Sequence, residues 1–336
     1  MNIRSLCLWS LALTAALAVA APDRSVVVIV WDGMRPDFIS PETTPNLARL
    51  AAEGVYFAHH HPVYLSSTEV NGTALATGAY PAHSGIIANS DFRPAINPQQ
   101  VIEMQAPAVI RRGDALTGGH YLGRPTVAEI LHAHGLATAI AGSKQVALLH
   151  DRAPRTAGPG VSPILFQGEI WPGARQASLE QALGRMPAAT ARDDRIARDT
   201  WTTRALLGPL WQDGVPPFSL LWLAEPDSSQ HVSGPGSPQS CEAIRGCDAN
   251  LGLVLAELER RGRRDSTDIL VVSDHGFSTI SRKIDVAVEL SVAGFSTKRA
   301  APGGLQNGEV LVVSSGGSCL FYVGGHDTAV IGSLTS

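Results

Sequence analysis

Apolar positions along the chain fall into two rhythms. Short runs, most of them rich in β-branched residues, "SVVVIVW" (25–31), "LATAIAG" (136–142), "FSLLWLA" (218–224) and "DILVVS" (268–273), have the length and composition of buried strands. Between them lie stretches with apolar residues every three or four positions, bounded by helix punctuation. "TPNLARLAAEG" (44–54) carries Pro45 early and ends at Gly54, "TVAEILHAHG" (126–135) repeats the plan, and a long helical stretch covers about 238–261. Strand and helix in alternation predict an α/β fold: a mostly parallel central sheet with helices on both faces. The segments 94–119 and 153–184, rich in Pro, Gly or charge, read as excursions over the active edge of that sheet.

With 336 residues, 44% of them hydrophobic and 17% charged, the chain can bury a full core in one large domain. A formal charge of -4 and the lack of any Lys/Arg-rich run argue against binding a nucleic-acid polymer. The first residues read as a secretory leader. Arg4 supplies a positive start, residues 6–18 are apolar, and "AVAAPD" closes the run with small residues, so cleavage is expected near Ala20 or Ala21. This divides the chain into a leader, 1–21, and a main domain, 22–336, expected to be exported to the periplasm or beyond the cell. The apolar run is short for a membrane span, and no second span follows it. Outside the leader remain Cys241, Cys247 and Cys319, an odd number that cannot all pair within the chain.

Three of the predicted strands lead into an acidic residue: Asp32 in "VVVIVWDG", Asp227 in "LLWLAEPD" and Asp274 in "ILVVSDHG". In open α/β sheets ligands sit just beyond the carboxyl ends of the strands, so these carboxylates can converge despite their separation in sequence. Alone, each would read as a turn former or helix cap. Their company changes this: His275 adjoins Asp274, and His231 follows Asp227 by four positions. Carboxylates brought together repel unless a cation lies among them, and mixed carboxylate and imidazole donors suit divalent transition metals, here two.

"YLSSTEVNGTALATG" (64–78) then sets three hydroxyls, Ser66, Ser67 and Thr68, at the expected start of a helix. A ligated hydroxyl loses its proton more readily, and a helix N-terminus favours the resulting charge. A helix cap is the competing reading, and spacing does not choose among the three.

At these residues the chain resembles the alkaline phosphatase superfamily, and within it the nucleotide pyrophosphatase/phosphodiesterase branch. The elements "WDGMRPD", "TPNLARLAAEGV", "TEVNG", "TGAYPAHSGIIAN", "EPDSSQHVSGPGS" and "SDHGF" stand in the branch's order between residue 25 and about 280, with "IWPGA" (170–174) as a further match. The resemblance implies an alkaline phosphatase-like three-layer sandwich with inserted excursions. It implies two zinc ions, one held by Asp32, Asp274, His275 and Thr68, the other by Asp227 and His231. Thr68 would be the nucleophile, attacking phosphorus in line to give a phospho-threonine, with Asn89 binding phosphoryl oxygens. A small phosphate ester such as a nucleotide would be the substrate.

Some positions depart from the pattern. Val70 and Gly72 replace the Pro and His of the nucleophile segment, and the order of His83 and Ser84 is shifted. The branch's second metal takes a further His from near the carboxyl end. Here only His326 in "YVGGHDTAV" follows the "SDHG" strand, in flanks that read as a strand leaving the core and a polar turn, so a closing part of the sheet is expected to be missing. His59, His60 and His61 read as loop residues, and Lys144 as a partly exposed loop lysine, although a cation there would suit a phosphomonoesterase. The competing readings are that monoesterase and a metal-impaired protein that binds phosphate ligands without turning them over. A sulfatase lacks its C/S-x-P-x-R segment, and a dinucleotide oxidoreductase its G-x-G-x-x-G turn.

Overall fold

The computed structural model describes residues 24–152, 161–188 and 192–335; the predicted leader lies outside them, as do 153–160 of the second predicted excursion. The strands are β1 (Ser25–Trp31), β2 (Ser90–Asp91), β3 (Ile102–Glu103), β4 (Thr138–Gly142), β5 (Ile164–Phe166), β6 (Glu169–Trp171), β7 (Phe218–Leu223), β8 (Thr267–Val272), β9 (Thr297–Lys298), β10 (Val310–Ser315) and β11 (Ser318–Val323). The helices are α1 (Pro45–Glu53), α2 (Thr68–Thr77), α3 (Pro81–Ser84), α4 (Pro107–Thr117), α5 (Val127–Ala133), α6 (Gln176–Leu183), α7 (Arg192–Ala205), α8 (Asp227–Ser233), α9 (Pro238–Arg260), α10 (Val286–Val292) and α11 (Thr328–Thr335).

The main sheet runs β6-β5-β4-β7-β1-β8, parallel throughout except for β6, which turns back on β5. Alternation along its central strands builds two cores. Val27, Ile29 and Trp31 of β1 with Leu221 and Leu223 of β7 face one side, where Ile244, Cys247, Leu251, Val254 and Leu258 form the apolar stripe of α9. Val28 and Val30 with Leu220 and Trp222 face the other, against Val70 of α2, Ile110 of α4 and Ala128 of α5. Helices therefore cover both faces, giving the predicted three layers. Burying each Leu-sized side chain in this way contributes about 1.5–3 kcal/mol.

Helix ends follow their local chemistry. Ser237 accepts from Ser240 N at the start of α9, and Thr126 and Glu129 form a capping box on α5. Gly72 lets α2 lie close to the sheet: a Cβ there would stand 2.6 Å from Val146 Cγ2 and 3.1 Å from Trp222 Cη2.

Four expectations are corrected. The run "DILVVS" was expected to be buried, but β8 ends the sheet and Leu270 is 45% exposed, because an edge strand is covered less completely than its composition suggests. Within the first excursion, 107–117 is α4, whose Ile110 is buried in the second core despite charged neighbours. Within the second, 164–171 supplies β5 and β6 of the main sheet. The flanks of His326 read as a strand leaving the core; the preceding flank is β11, but the following one folds into α11. A small sheet, β11-β10-β9, packs beside the main body, tied to it by the Tyr322 hydroxyl donating to Asp91 and by Phe92 against the Tyr322 ring, centroids 5.6 Å apart.

Candidate functional site

Four adjacent strands, β4, β7, β1 and β8, present their carboxyl ends side by side, and each is followed within a few residues by a charged group: Lys144, Asp227, Asp32 and Asp274. The turn after β1 draws three of them together. Gly33 has φ of +69°, a conformation that strains any residue with a Cβ, and a Cβ there would stand 3.0 Å from Asp227 Cβ. Its N–H donates to Asp274 Oδ1 at 3.1 Å, its carbonyl accepts from Gln230 Nε2 at 2.8 Å, and the neighbouring Asp32 carbonyl accepts from Asp227 N at 2.9 Å.

Each carboxylate has one oxygen engaged by fixed donors. Asp32 Oδ2 accepts from Lys144 Nζ (2.8 Å) and Trp222 Nε1 (2.9 Å), Asp274 Oδ1 from Gly33 N and His275 N (3.0 Å), and Asp227 Oδ2 from Lys144 Nζ (2.8 Å). The opposite oxygens of the first two, Asp32 Oδ1 and Asp274 Oδ2, are buried without a hydrogen-bond partner, and Asp227 Oδ1 faces only the His231 imidazole. Asp32 and Asp274 are 0% and 1% exposed, so these orphaned oxygens have no water to turn to.

His275 completes the first group. Its Nδ1 lies 2.8 Å from Gly276 O; a carbonyl only accepts, so in the neutral ring Nδ1 carries the proton and Nε2 offers its lone pair. Nε2 sits 3.1 Å from Thr68 Oγ1 and 3.5 Å from both Asp32 Oδ1 and Asp274 Oδ2. Donor atoms of Asp32, Asp274 and His275 all lie within 4.8 Å of one another. Asp, Asp, His and a hydroxyl, with two carboxylate oxygens lacking any donor, form a donor set that fits a divalent ion such as zinc. The second group is thinner: His231 Nε2 is 3.2 Å from Asp227 Oδ1, one helical turn along α8, with a side chain 68% exposed and its ring edge-on to Phe277.

The charges shape one another. Burial, reinforced by the nearby Asp274 charge, pushes Asp32 up to about 7. Burial also opposes ionisation of Asp227, but the His231 contact and the Lys144 charge outweigh it and hold that carboxyl below its usual range. Burial would lower His275 and Lys144; the facing carboxylates reverse this and raise both, Asp274 and Asp32 for the imidazole, Asp32 and Asp227 for the ammonium.

Thr68 is the first residue of α2 and its hydroxyl makes no capping bond; it points to His275. Ser67 stands at the cap position, also without a side-chain capping bond, and Ser66 is exposed. The Oδ1 atom of Asn89 accepts from Glu69 N at 3.1 Å, which fastens it to the first turn of α2 beside Thr68. His59, His60, His61 and His326 are exposed, and His326 is not among the grouped donors.

Lys144 does stand in the loop after β4, partly exposed as read, but that loop carries it into the cluster. Its side chain is 23% exposed and its ammonium joins two of the three carboxylates. It stands two residues beyond β4, at the same edge as the aspartates, but its contacts with Asp32 and Asp227 depend on β4 lying beside β7 and β7 beside β1. Sequence reasoning also passed over Trp222, for which an indole inside a strand gives no signal, and Glu69. That carboxyl is 1% exposed with Oε2 unpartnered, and burial pushes it up to about 8.

A mostly parallel sheet, helices on both faces and an acidic cluster at the strand tips define an alkaline phosphatase-like α/β protein. Residues 26–330 match the model of the family "Type I phosphodiesterase / nucleotide pyrophosphatase", and the chain belongs to that family. Relatives include a venom phosphodiesterase of Crotalus durissus collilineatus, 23% identical over 263 residues, 76% of this chain and 26% of the relative. Ectonucleotide pyrophosphatase/phosphodiesterase family member 7 of Rattus norvegicus is 22% identical over 267 residues, 79% of this chain and 52% of that protein. The chain thus spans about a quarter to a half of these relatives. Among solved structures, an inactive variant of murine ectonucleotide pyrophosphatase/phosphodiesterase 5 in complex with AMP shares the fold with a TM-score of 0.59 and 18% identity, over 93% of this chain and 69% of the other.

Proposed function

We propose that this protein hydrolyses phosphodiester or pyrophosphate bonds of small phosphate esters, nucleotides among them, with Thr68 as nucleophile and two divalent metal ions, zinc by donor type. The observation that carries the reading is the convergence of two unpartnered buried oxygens, on Asp32 and Asp274, with the His275 Nε2 lone pair and the Thr68 hydroxyl. Asp32, Asp274, His275 and Thr68 would hold one ion, Asp227 and His231 the other. Bound ions would supply Lewis acidity, lowering the pKa of a ligated hydroxyl and neutralising charge on the phosphoryl oxygens.

The chain's own groups do the rest. Thr68 Oγ1, its hydroxyl proton released to solvent, forms the bond to phosphorus as the leaving oxygen departs with its electron pair and takes up a proton from water, giving a phospho-threonine that water then hydrolyses. The N-terminal turn of α2 favours negative charge at Thr68. Asn89, fixed on Glu69 N, keeps its amide nitrogen available to donate to a phosphoryl oxygen. AMP in the murine neighbour supports a nucleotide substrate. The leader pattern, with venom and ecto-enzymes among the relatives, supports a periplasmic or secreted location. Among the described residues no helix is long and apolar enough to cross a membrane.

Lys144 favours a second reading, a phosphomonoesterase, because a further cation at the site matches the extra charge of a monoester. Rates on bis-p-nitrophenyl phosphate and p-nitrophenyl phosphate, measured with added zinc, separate the two. Equal rates for wild type and Thr68→Ala would reject the nucleophile.

A further inference from the structure

The cluster already contains a cation. Lys144 Nζ stands 2.8 Å from Asp32 Oδ2 and 2.8 Å from Asp227 Oδ2, so it lies between the two groups of donors and neutralises the carboxylate on which the second depends. Its backbone is held there by a buried network outside the cluster. Ser143 N donates to Trp222 O at 3.0 Å, and the Ser143 hydroxyl pairs with the Asp199 carboxylate. That carboxylate also accepts from Ala224 N at 2.9 Å and Glu225 N at 3.0 Å. The tips of β4 and β7 are thereby locked together, and Lys144 and Asp227 approach each other from anchored backbones.

The two groups meet this ammonium differently. Asp32 divides its oxygens, Oδ2 toward Lys144 and Oδ1 toward Asp274 and His275, so the first donor set is complete without disturbing the lysine. Asp227 has only Oδ1 left, with one half-exposed imidazole beside it. A divalent ion there would have two protein donors and a fixed positive charge on the other oxygen of its only carboxylate. Like charges at such range in a partly buried site oppose each other strongly.

We infer that Lys144 limits the cluster to one tightly bound divalent cation: its ammonium acts as the resident counter-ion of Asp227 and weakens binding of a second ion at Asp227 and His231. This rests on the metal-site reading above. The consequence is an enzyme whose second ion is recruited at higher metal concentration, so that occupancy follows the supply outside the cell.

The test is zinc binding by the full chain, followed by competition with a chromophoric chelator and by elemental analysis, in wild type, Lys144→Met and Lys144→Arg. Wild type should bind one zinc tightly and a second at least about tenfold more weakly, Lys144→Met should tighten the second by about tenfold or more, and Lys144→Arg should resemble wild type. Two equally tight ions in wild type, or a second site unchanged in Lys144→Met, would overturn the inference while leaving the first site in place. Absence of any bound zinc in all three would overturn the metal-site reading along with it. Circular dichroism and thermal melts identify a variant that has not folded, and Lys144→Gln then replaces Lys144→Met.

Discussion

The two halves of the acidic cluster are built by different means. Asp32, Asp274 and His275 hang from the turns after neighbouring strands β1 and β8, the Asp274 carboxylate accepts from Gly33 N and His275 N, and their donor atoms are preset within 4.8 Å. Asp227 and His231 share one short helix, and the imidazole is more than half exposed, so thermal motion and solvent compete with any ligand. The lesson is that a cation site takes its strength from the number of donors whose positions the sheet has already fixed, more than from the number of acidic residues nearby.

Substitutions can break this contrast. Thr68→Ala should have the largest effect, lowering kcat by on the order of a thousandfold or more while zinc binding weakens far less, since under the proposed function it removes the nucleophile and only one of four proposed donors. Steady-state kinetics beside zinc titration checks both. Asp274→Ala should weaken the tighter zinc site by on the order of a hundredfold, read by elemental analysis after dialysis; unchanged stoichiometry would count against the assignment. Gly33→Ala should disturb both halves at once, costing about 1–2 kcal/mol through its left-handed backbone and pressing on Asp227, which a lower Tm would register. For His231→Ala the loss should fall only on the weaker site, about tenfold, in the same titration. Smallest of all, Ser66→Ala and Ser67→Ala should leave kcat within about threefold, because Ser66 is exposed and the Ser67 hydroxyl makes no hydrogen bond.

Much of this was legible in the chain. Asp32, Asp227 and Asp274 follow apolar runs, and the rule that ligands gather at strand carboxyl ends converts those positions into one place without knowing the strand order. His231 was reachable because i,i+4 spacing fixes it relative to Asp227. What escaped depends on which strands are neighbours. Lys144 meets Asp32 and Asp227 only because β4 lies beside β7 and β7 beside β1. The residues of β8 have an interior strand's composition, yet the topology puts them at the edge. Ile110 was hidden because Arg111, Arg112 and Asp114 stand beside it in sequence on α4, although Ile110 itself is buried in the second core.

Trp222 gives this arrangement a practical use. Its indole N–H donates to the oxygen of Asp32 that also receives Lys144, while its ring lies edge-on to His150 beneath. Any change in the charge on Asp32 alters the electric field along that N–H, so the emission of this one fluorophore reports on events at the sheet tip. Titrating zinc into wild type and Trp222→Phe, and subtracting the spectra, would give an optical record of cation arrival that needs no substrate.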